Sequence, residues 1–142
     1  MGLISLIYGS TATKPMTDLE LMSLLGQSRS SNNMIGITGM LLYHDGNFLQ
    51  VLEGEEAVVE SLYEKIEQDP RHHNSLIIAT RTIDSRDYGN WAMSFKTLEE
   101  ADLTHIEGFT DFLENPLAVE NFVGKPSFAG RFLNAFKQNI NG

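Results

Sequence analysis

Short apolar runs divided by polar turns dominate the first hundred residues, and their period switches between two and about 3.6. "LISLIYG", residues 3–9, predicts a strand. Alternation sets Ile4, Leu6 and Tyr8 on one face and Leu3 and Ile7 on the other. "GSTATKPMTD" reads as a loop. Thr17, with Glu20 three residues on, forms a capping box. A helix is expected from there to about Ser31, with Leu21, Leu25, Ser28 and Asn32 along one stripe. "NNMIGITGMLLYHDGNFLQVLEG" predicts a hairpin, strands 35–43 and 47–53, because Asp45-Gly46 suits a tight turn between apolar runs. Residues 55–68 read as a second helix with Val59, Leu62 and Ile66 inward, stopped at Asp69-Pro70. "SLIIATRTI", 75–83, and "WAMSFKTL", 91–98, read as a fourth and fifth strand, followed by helices at about 102–114 and 126–139.

The order β-α-β-β-α-β-β predicts an α+β, ferredoxin-like sandwich with a five-stranded mixed sheet. Right-handed crossovers are expected to set strands one and three side by side and parallel, with both crossover helices on one face. Leu3, Ile7, Leu49 and Val51 leave the other face apolar too. The C-terminal helices, with Phe128, Phe132 and Phe136 at spacing four, are its expected cover. Residues 1–98 then form the core and 99–142 a helical extension packed on the sheet.

Gln50 is out of keeping with Phe48, Leu49, Val51 and Leu52 around it. A buried amide without partners costs about 1–3 kcal/mol. If the Phe48/Gln50/Leu52 face of strand three is also the Ile4/Leu6/Tyr8 face of strand one, Tyr8 and Gln50 are neighbours beneath the helices. Helix one ends its inward stripe with Ser28 and Asn32, and helix two with Lys65 and Asp69, followed by Arg71 and His72. An apolar slot between Leu24 or Leu25 and Ile66, rimmed by amides and one acid, suits a small molecule. A flat heteroaromatic ring with imide edges would satisfy these groups.

Charge and composition narrow the classes. The 142 residues carry ten Lys+Arg against nineteen Asp+Glu, for a formal net charge of −9. That argues against a nucleic-acid backbone as partner, which requires a basic patch. There is no cysteine, so disulfides, thiolate metal sites and Cys nucleophiles are excluded. His72-His73 with Asp69 lack an evident fourth ligand, and no metal is expected. The opening apolar run lacks a basic flank and is too short to span a bilayer, so neither signal peptide nor membrane association is expected and a cytoplasmic location is.

Four stretches together, "LIYGS", "NNMIGITGMLLYHDGNFLQVLEGE", "YEKIEQDPRHHNS" and "WAMSF", resemble the BLUF domain, a blue-light sensor using a non-covalent flavin. The resemblance covers roughly residues 3–98, and its pieces match in order and spacing. It implies a flavin cofactor, FAD before FMN. It implies that Tyr8 donates an electron and proton to the excited flavin, and that Gln50 is the switching amide between that phenol and the flavin edge. Asn32 resembles the residue pairing with the flavin C4=O and N3–H edge, and Lys65 the one near C2=O. Asp69 and His72, with Arg71 between them, fall at positions associated with the ribityl chain and its surroundings. Leu24 and Ile66 match the aliphatic residues sandwiching the ring, with Ser28 in the same layer. Trp91 and Met93 match the strand-five pair that reports the switch to the surface. Ser31 stands where other members often carry Asn or His, which implies a missing or weaker polar contact. Ala92 stands where Ser is common.

The resemblance also implies a photoreceptor rather than an enzyme, signalling through strand five and the C-terminal helices. In ending at Gly142 the chain is similar to short members of the family that act on a separate signalling protein, and a homo-oligomer is expected; an excised sensor from a longer chain fits the sequence as well. Taken singly, the same residues have plainer explanations. Tyr8 alone is a core tyrosine, Asn32 a helix C-cap and Asp69 a turn former. A flavin-free ferredoxin-like regulatory module would keep the fold without the polar set Tyr8, Asn32 and Gln50. A small hydrolase of the acylphosphatase type would want an arginine in the loop after strand one, and "GSTATKPMT" has none.

Overall fold

The computed structural model describes residues 2–14, 17, 19–20, 23, 35–44, 46–88, 94–97 and 133. It contains the strands β1 (Leu3–Ala12), β2 (Thr38–His44), β3 (Asn47–Glu55), β4 (His72–Ile83) and β5 (Ser94–Thr97). One helix, α1 (Glu56–Glu67), is described from end to end. The strands form one sheet in the order β4-β1-β3-β2-β5. The expected helices over 17–31, 102–114 and 126–139 fall outside the described residues except at isolated positions. At one of these the capping box is in place: Thr17 N–H donates to Glu20 Oε1 at 3.0 Å and Glu20 N–H to Thr17 Oγ1 at 3.2 Å.

β1 and β3 are neighbours in the centre of the sheet, but they are antiparallel, not parallel. The reason is the turn at Gly46, which reverses the chain between β2 and β3. β2 therefore runs parallel to β1 with β3 slotted between them. β4 likewise runs parallel to β3 with β1 between, since β4 is antiparallel to β1. The crossover rule acts on these split pairs rather than on adjacent strands. β2 and β5 are parallel neighbours, which makes the sheet mixed.

Element ends differ from the pattern where tertiary bonds extend or cut a strand. β1 continues to Ala12 because Ala12 N–H finds the Gly46 carbonyl at 2.7 Å, and the next residue, Thr13, donates its N–H to the Arg71 carbonyl at 2.9 Å. β2 starts only at Thr38, after Gly36 turns the backbone to φ 72. β4 starts early, at His72, and accommodates Asn74 at φ 55 within a strand whose register against β1 shifts twice, between Ile7 and Tyr8 and between Gly9 and Thr11.

Ile4, Leu6, Tyr8, Leu41, Tyr43, Phe48 and Leu52 pack with Ile37, Val59 and Tyr63 on the α1 face of the sheet. Val59 and Tyr63, four residues apart, are the buried helix positions; Leu62 and Ile66, on the flanks of the stripe, are half-buried. Met40, Leu42, Leu49 and Val51 on the opposite face are also withdrawn from solvent, as is Leu133.

The β2–β3 pair is close-packed at one glycine. A Cβ on Gly39 would lie 1.9 Å from the Val51 carbonyl oxygen, inside backbone that cannot yield without breaking the ladder. Gly39→Ala is expected to lower unfolding free energy by about 3 kcal/mol or more, the upper end of overpacking costs. Urea denaturation checks it, and a loss under about 1 kcal/mol would show that the two strands are not held this tightly.

Candidate functional site

Tyr8 and Gln50 are cross-strand partners in the β1–β3 register. Opposed residues in an antiparallel pair place their side chains on the same face, and here the Tyr8 hydroxyl donates directly to Gln50 Oε1. Both are buried, at 4% and 6% exposure. The bond satisfies the amide oxygen that the apolar strand would otherwise strand in the core.

A second phenol supports the first. The Tyr63 ring stands edge-on to Tyr8, with centroids 5.3 Å apart and planes at 65°. Its hydroxyl is tied to Ser75 Oγ at 2.5 Å. Further along the same face Phe48 packs on Tyr43, with centroids 5.0 Å apart, and meets His72 edge-on at 6.4 Å.

The turn after α1 supplies the remaining described candidates. Asp69 is bound by Arg71: the guanidinium Nε reaches both carboxylate oxygens at 3.0 Å, and the Arg71 backbone N–H reaches Oδ1 at 2.9 Å. The Arg71 guanidinium holds the Asp69 carboxyl below the usual carboxylate range. Asp69 is thus occupied within its own turn, and the clip ties the Pro70 and Arg71 carbonyls to the end of β1, through Thr13 Oγ1 at 2.6 Å and Thr13 N–H. His72 bonds the Ile66 carbonyl through Nε2. Ile66 lines the edge of the core. Lys65, expected on the inward stripe, is exposed instead, because the helix turns Val59 and Tyr63 inward and carries position 65 to the outer side. Leu24, Ser28, Ser31, Asn32, Trp91 and Met93 lie outside the described residues.

Two polar atoms here are buried without a hydrogen-bond partner among the described residues: Ser10 Oγ and His72 Nδ1. Ser10 is two residues along β1 from Tyr8, so alternation places it on the same face. Buried polar groups in a folded protein are paired with protein, water or ligand. A planar, polar-edged cofactor lying on this face suits the set: a phenol–amide pair, two further polar atoms awaiting partners, and aliphatic and aromatic walls. Ser10 and Tyr63 were both readable in principle, Ser10 from its strand spacing to Tyr8 and Tyr63 from its helical spacing to Val59.

Burial pushes the Tyr8 phenol well above the usual tyrosine range, and the neighbouring Tyr63 and Asp69 push it the same way. The phenol therefore keeps its proton for the bond to Gln50. In the unfolded chain the same group ionises near pH 10. Above that pH the unfolded state binds fewer protons than the native state, so stability present at lower pH is lost as pH rises. Unfolding free energy is expected to decline above about pH 10, and Tyr8→Phe to flatten that decline by up to about 1.4 kcal/mol per pH unit. Denaturant titrations from pH 9 to 11 on both proteins measure it, and equal slopes would place the phenol in contact with water.

Known proteins resemble this chain in sequence and fold. The sequence profile of the family described as "BLUF: Sensors of blue-light using FAD" matches residues 3–94. The photoactivated adenylate cyclase subunit alpha of Euglena gracilis is 36% identical over 137 residues, covering 94% of this chain, which spans only 13% of that protein's length. The photo-activated state of BlsA superposes with a TM-score of 0.80 at 32% identity, covering 95% of this chain and 94% of that one. Klebsiella pneumoniae BlrP1 with FMN and cyclic diGMP superposes at 0.65 with 33% identity, over 96% of this chain and 35% of that one. The chain therefore belongs to the BLUF family of blue-light sensors.

Proposed function

We propose that this chain is a blue-light photoreceptor in which the Tyr8–Gln50 pair is the switch and a non-covalently bound flavin the chromophore. The observation that carries the reading is the buried, in-register hydrogen bond from the Tyr8 phenol to Gln50 Oε1. The bound flavin, FAD by the family's description, would supply a group that becomes a one-electron oxidant on absorbing blue light. Ser10 and His72 offer it buried polar atoms, Ile66 an aliphatic wall, and Tyr8 and Gln50 the reactive edge. Asn32, Ser28, Ser31 and Leu24 complete the set, as the family resemblance implies.

Tyr8 is set to release an electron and to pass its proton along the existing hydrogen bond to Gln50 Oε1. An amide that has taken a proton on oxygen can return it after rotating or as a tautomer. The two ends of a glutamine amide are nearly equal in shape and opposite in hydrogen bonding. The return of electron and proton to Tyr8 then leaves the chain with the same atoms and a different set of bonds. The output is a shift of population between two such states, and no substrate is consumed.

Residues 1–98 form the sensing unit in this reading, and 99–142 cover the opposite sheet face. The burial of Met40, Leu42, Leu49 and Leu133 supports that cover. The signal passes by way of Trp91 and Met93 to a separate protein partner, from a homo-oligomeric receptor in the cytoplasm. Relatives in which the matched sensor is a small part of a cyclase support regulation of an effector. No described helix is long and apolar enough to cross a membrane.

Purified protein is expected to be yellow and to show a red-shifted flavin absorption under blue light that reverts in the dark. Gln50→Leu is expected to retain flavin and lose the shift entirely, since leucine can neither accept the phenol's bond nor exchange ends. Light-minus-dark absorption spectra check this. A wild-type-sized shift in Gln50→Leu would remove the amide from the mechanism, and a colourless wild type after flavin loading would remove the photoreceptor reading itself.

A further inference from the structure

Gln50 is not the only polar side chain buried in β3. Glu53, three residues on, is 0% exposed. It faces the other side of the sheet, about 10 Å along the strand from Gln50. Burying a carboxylate is costly unless donors surround it, and here they come from the segment after β4 and from β2. Glu53 Oε2 accepts the Asp87 backbone N–H at 2.8 Å. Oε1 accepts the Tyr88 N–H at 2.9 Å and the Thr38 hydroxyl at 3.3 Å. Arg86 completes a ring, donating from Nη1 to Thr38 Oγ1 at 2.9 Å and to the Glu53 carbonyl at 3.0 Å. Thr38 and Glu53 are themselves cross-strand partners. The Tyr88 side chain is buried beside them.

These bonds tie the segment after β4 to β3 and β2. Residues 84, 85 and 87 are exposed and belong to no strand, and the other described tie there is the exposed ion pair of Arg81 with Asp87 at 3.3 Å. In sequence the anchored segment ends three residues before Trp91 and five before Met93.

Resting on the photoreceptor reading, we propose that Glu53 is a positioning residue for signal output: it anchors the 86–88 segment to the strand that carries Gln50, so that rearrangement at Gln50 is coupled to Trp91. Two properties suit it to this. A glutamate only accepts, so it holds two backbone N–H groups without itself having an alternative pattern, unlike an amide. It also sits on the face opposite Gln50, so its bonds stay intact while the switch changes.

Trp91 is the only tryptophan in the chain, so tryptophan emission reports on it alone. The experiment uses the whole 142-residue chain, flavin-loaded. Wild type is expected to show the flavin red shift together with a light-dependent change in Trp91 emission and acrylamide quenching. Glu53→Gln turns an amide NH2 against the backbone donors. It is expected to keep the flavin shift but raise dark-state quenching of Trp91 by about 2- to 10-fold, the range of one net hydrogen bond. The light-dependent change should be largely lost. Arg86→Met, which leaves the carboxylate in place, is expected to do the same more weakly, and it decides the matter if Glu53→Gln fails to bind flavin. A wild-type Trp91 response in a folded, photoactive variant would overturn the proposal, as would a wild type whose flavin shifts while Trp91 does not respond. Absence of any flavin shift in wild type would instead overturn the photoreceptor reading beneath it.

Discussion

The hydrogen bond from Tyr8 to Gln50 is the constraint around which the described structure is arranged. It joins two central strands, each flanked on both sides, and it lies in a face closed by Val59 and Tyr63 of α1. A polar pair in such a place is stable only if both members stay bonded. The surroundings serve that end. Tyr63 backs the Tyr8 ring and is itself held at Ser75, where β4 departs from regular register. The far end of β1 is pinned at Ala12 to the Gly46 turn and at Thr13 to the turn after α1. A strand fixed at its end and paired on both edges has little freedom to move the phenol off the amide.

Gln50 and Glu53, two of the buried polar residues of β3, thus differ in physical character. Gln50 both donates and accepts, so two bonding patterns of nearly equal shape are open to it. Glu53 accepts only, and its donors converge from Thr38 and from the backbone of Asp87 and Tyr88. One face of the strand holds a group able to change its bonds and the other a group that holds its neighbours in place. The opposite burial of the two follows from the strand's alternation alone, since positions 50 and 53 differ by an odd number.

Much of this was legible in the chain. Gln50 stood out because an amide among Phe48, Leu49, Val51 and Leu52 conflicts with the local pattern, and Tyr8 joined it by the same period-two argument applied to β1. Thr17 and Glu20 announced their capping box. Glu53 lies at the very end of the expected strand, next to Leu52 and Gly54, where periodicity alone does not mark a polar residue as buried. Lys65 lies on the outer side for a geometric reason: the stripe expected through Val59, Leu62 and Ile66 is centred instead on Val59 and Tyr63, which turns position 65 outward.

The sequence by itself determined the order of strands and the α1 helix along the chain, and which residues of each strand share a face. Those follow from local periodicity and turn chemistry, which act between residues close in the chain. Only the tertiary structure decided strand direction in the centre of the sheet, the register that pairs Tyr8 with Gln50, the true ends of β1 and β4, and the partners of Glu53. Each of these depends on hydrogen bonds between segments separated by tens of residues: Ala12 to Gly46, Thr13 to Arg71, Asp87 to Glu53. A backbone donor forms such bonds whatever its side chain, so the identity of the residue leaves little trace of them.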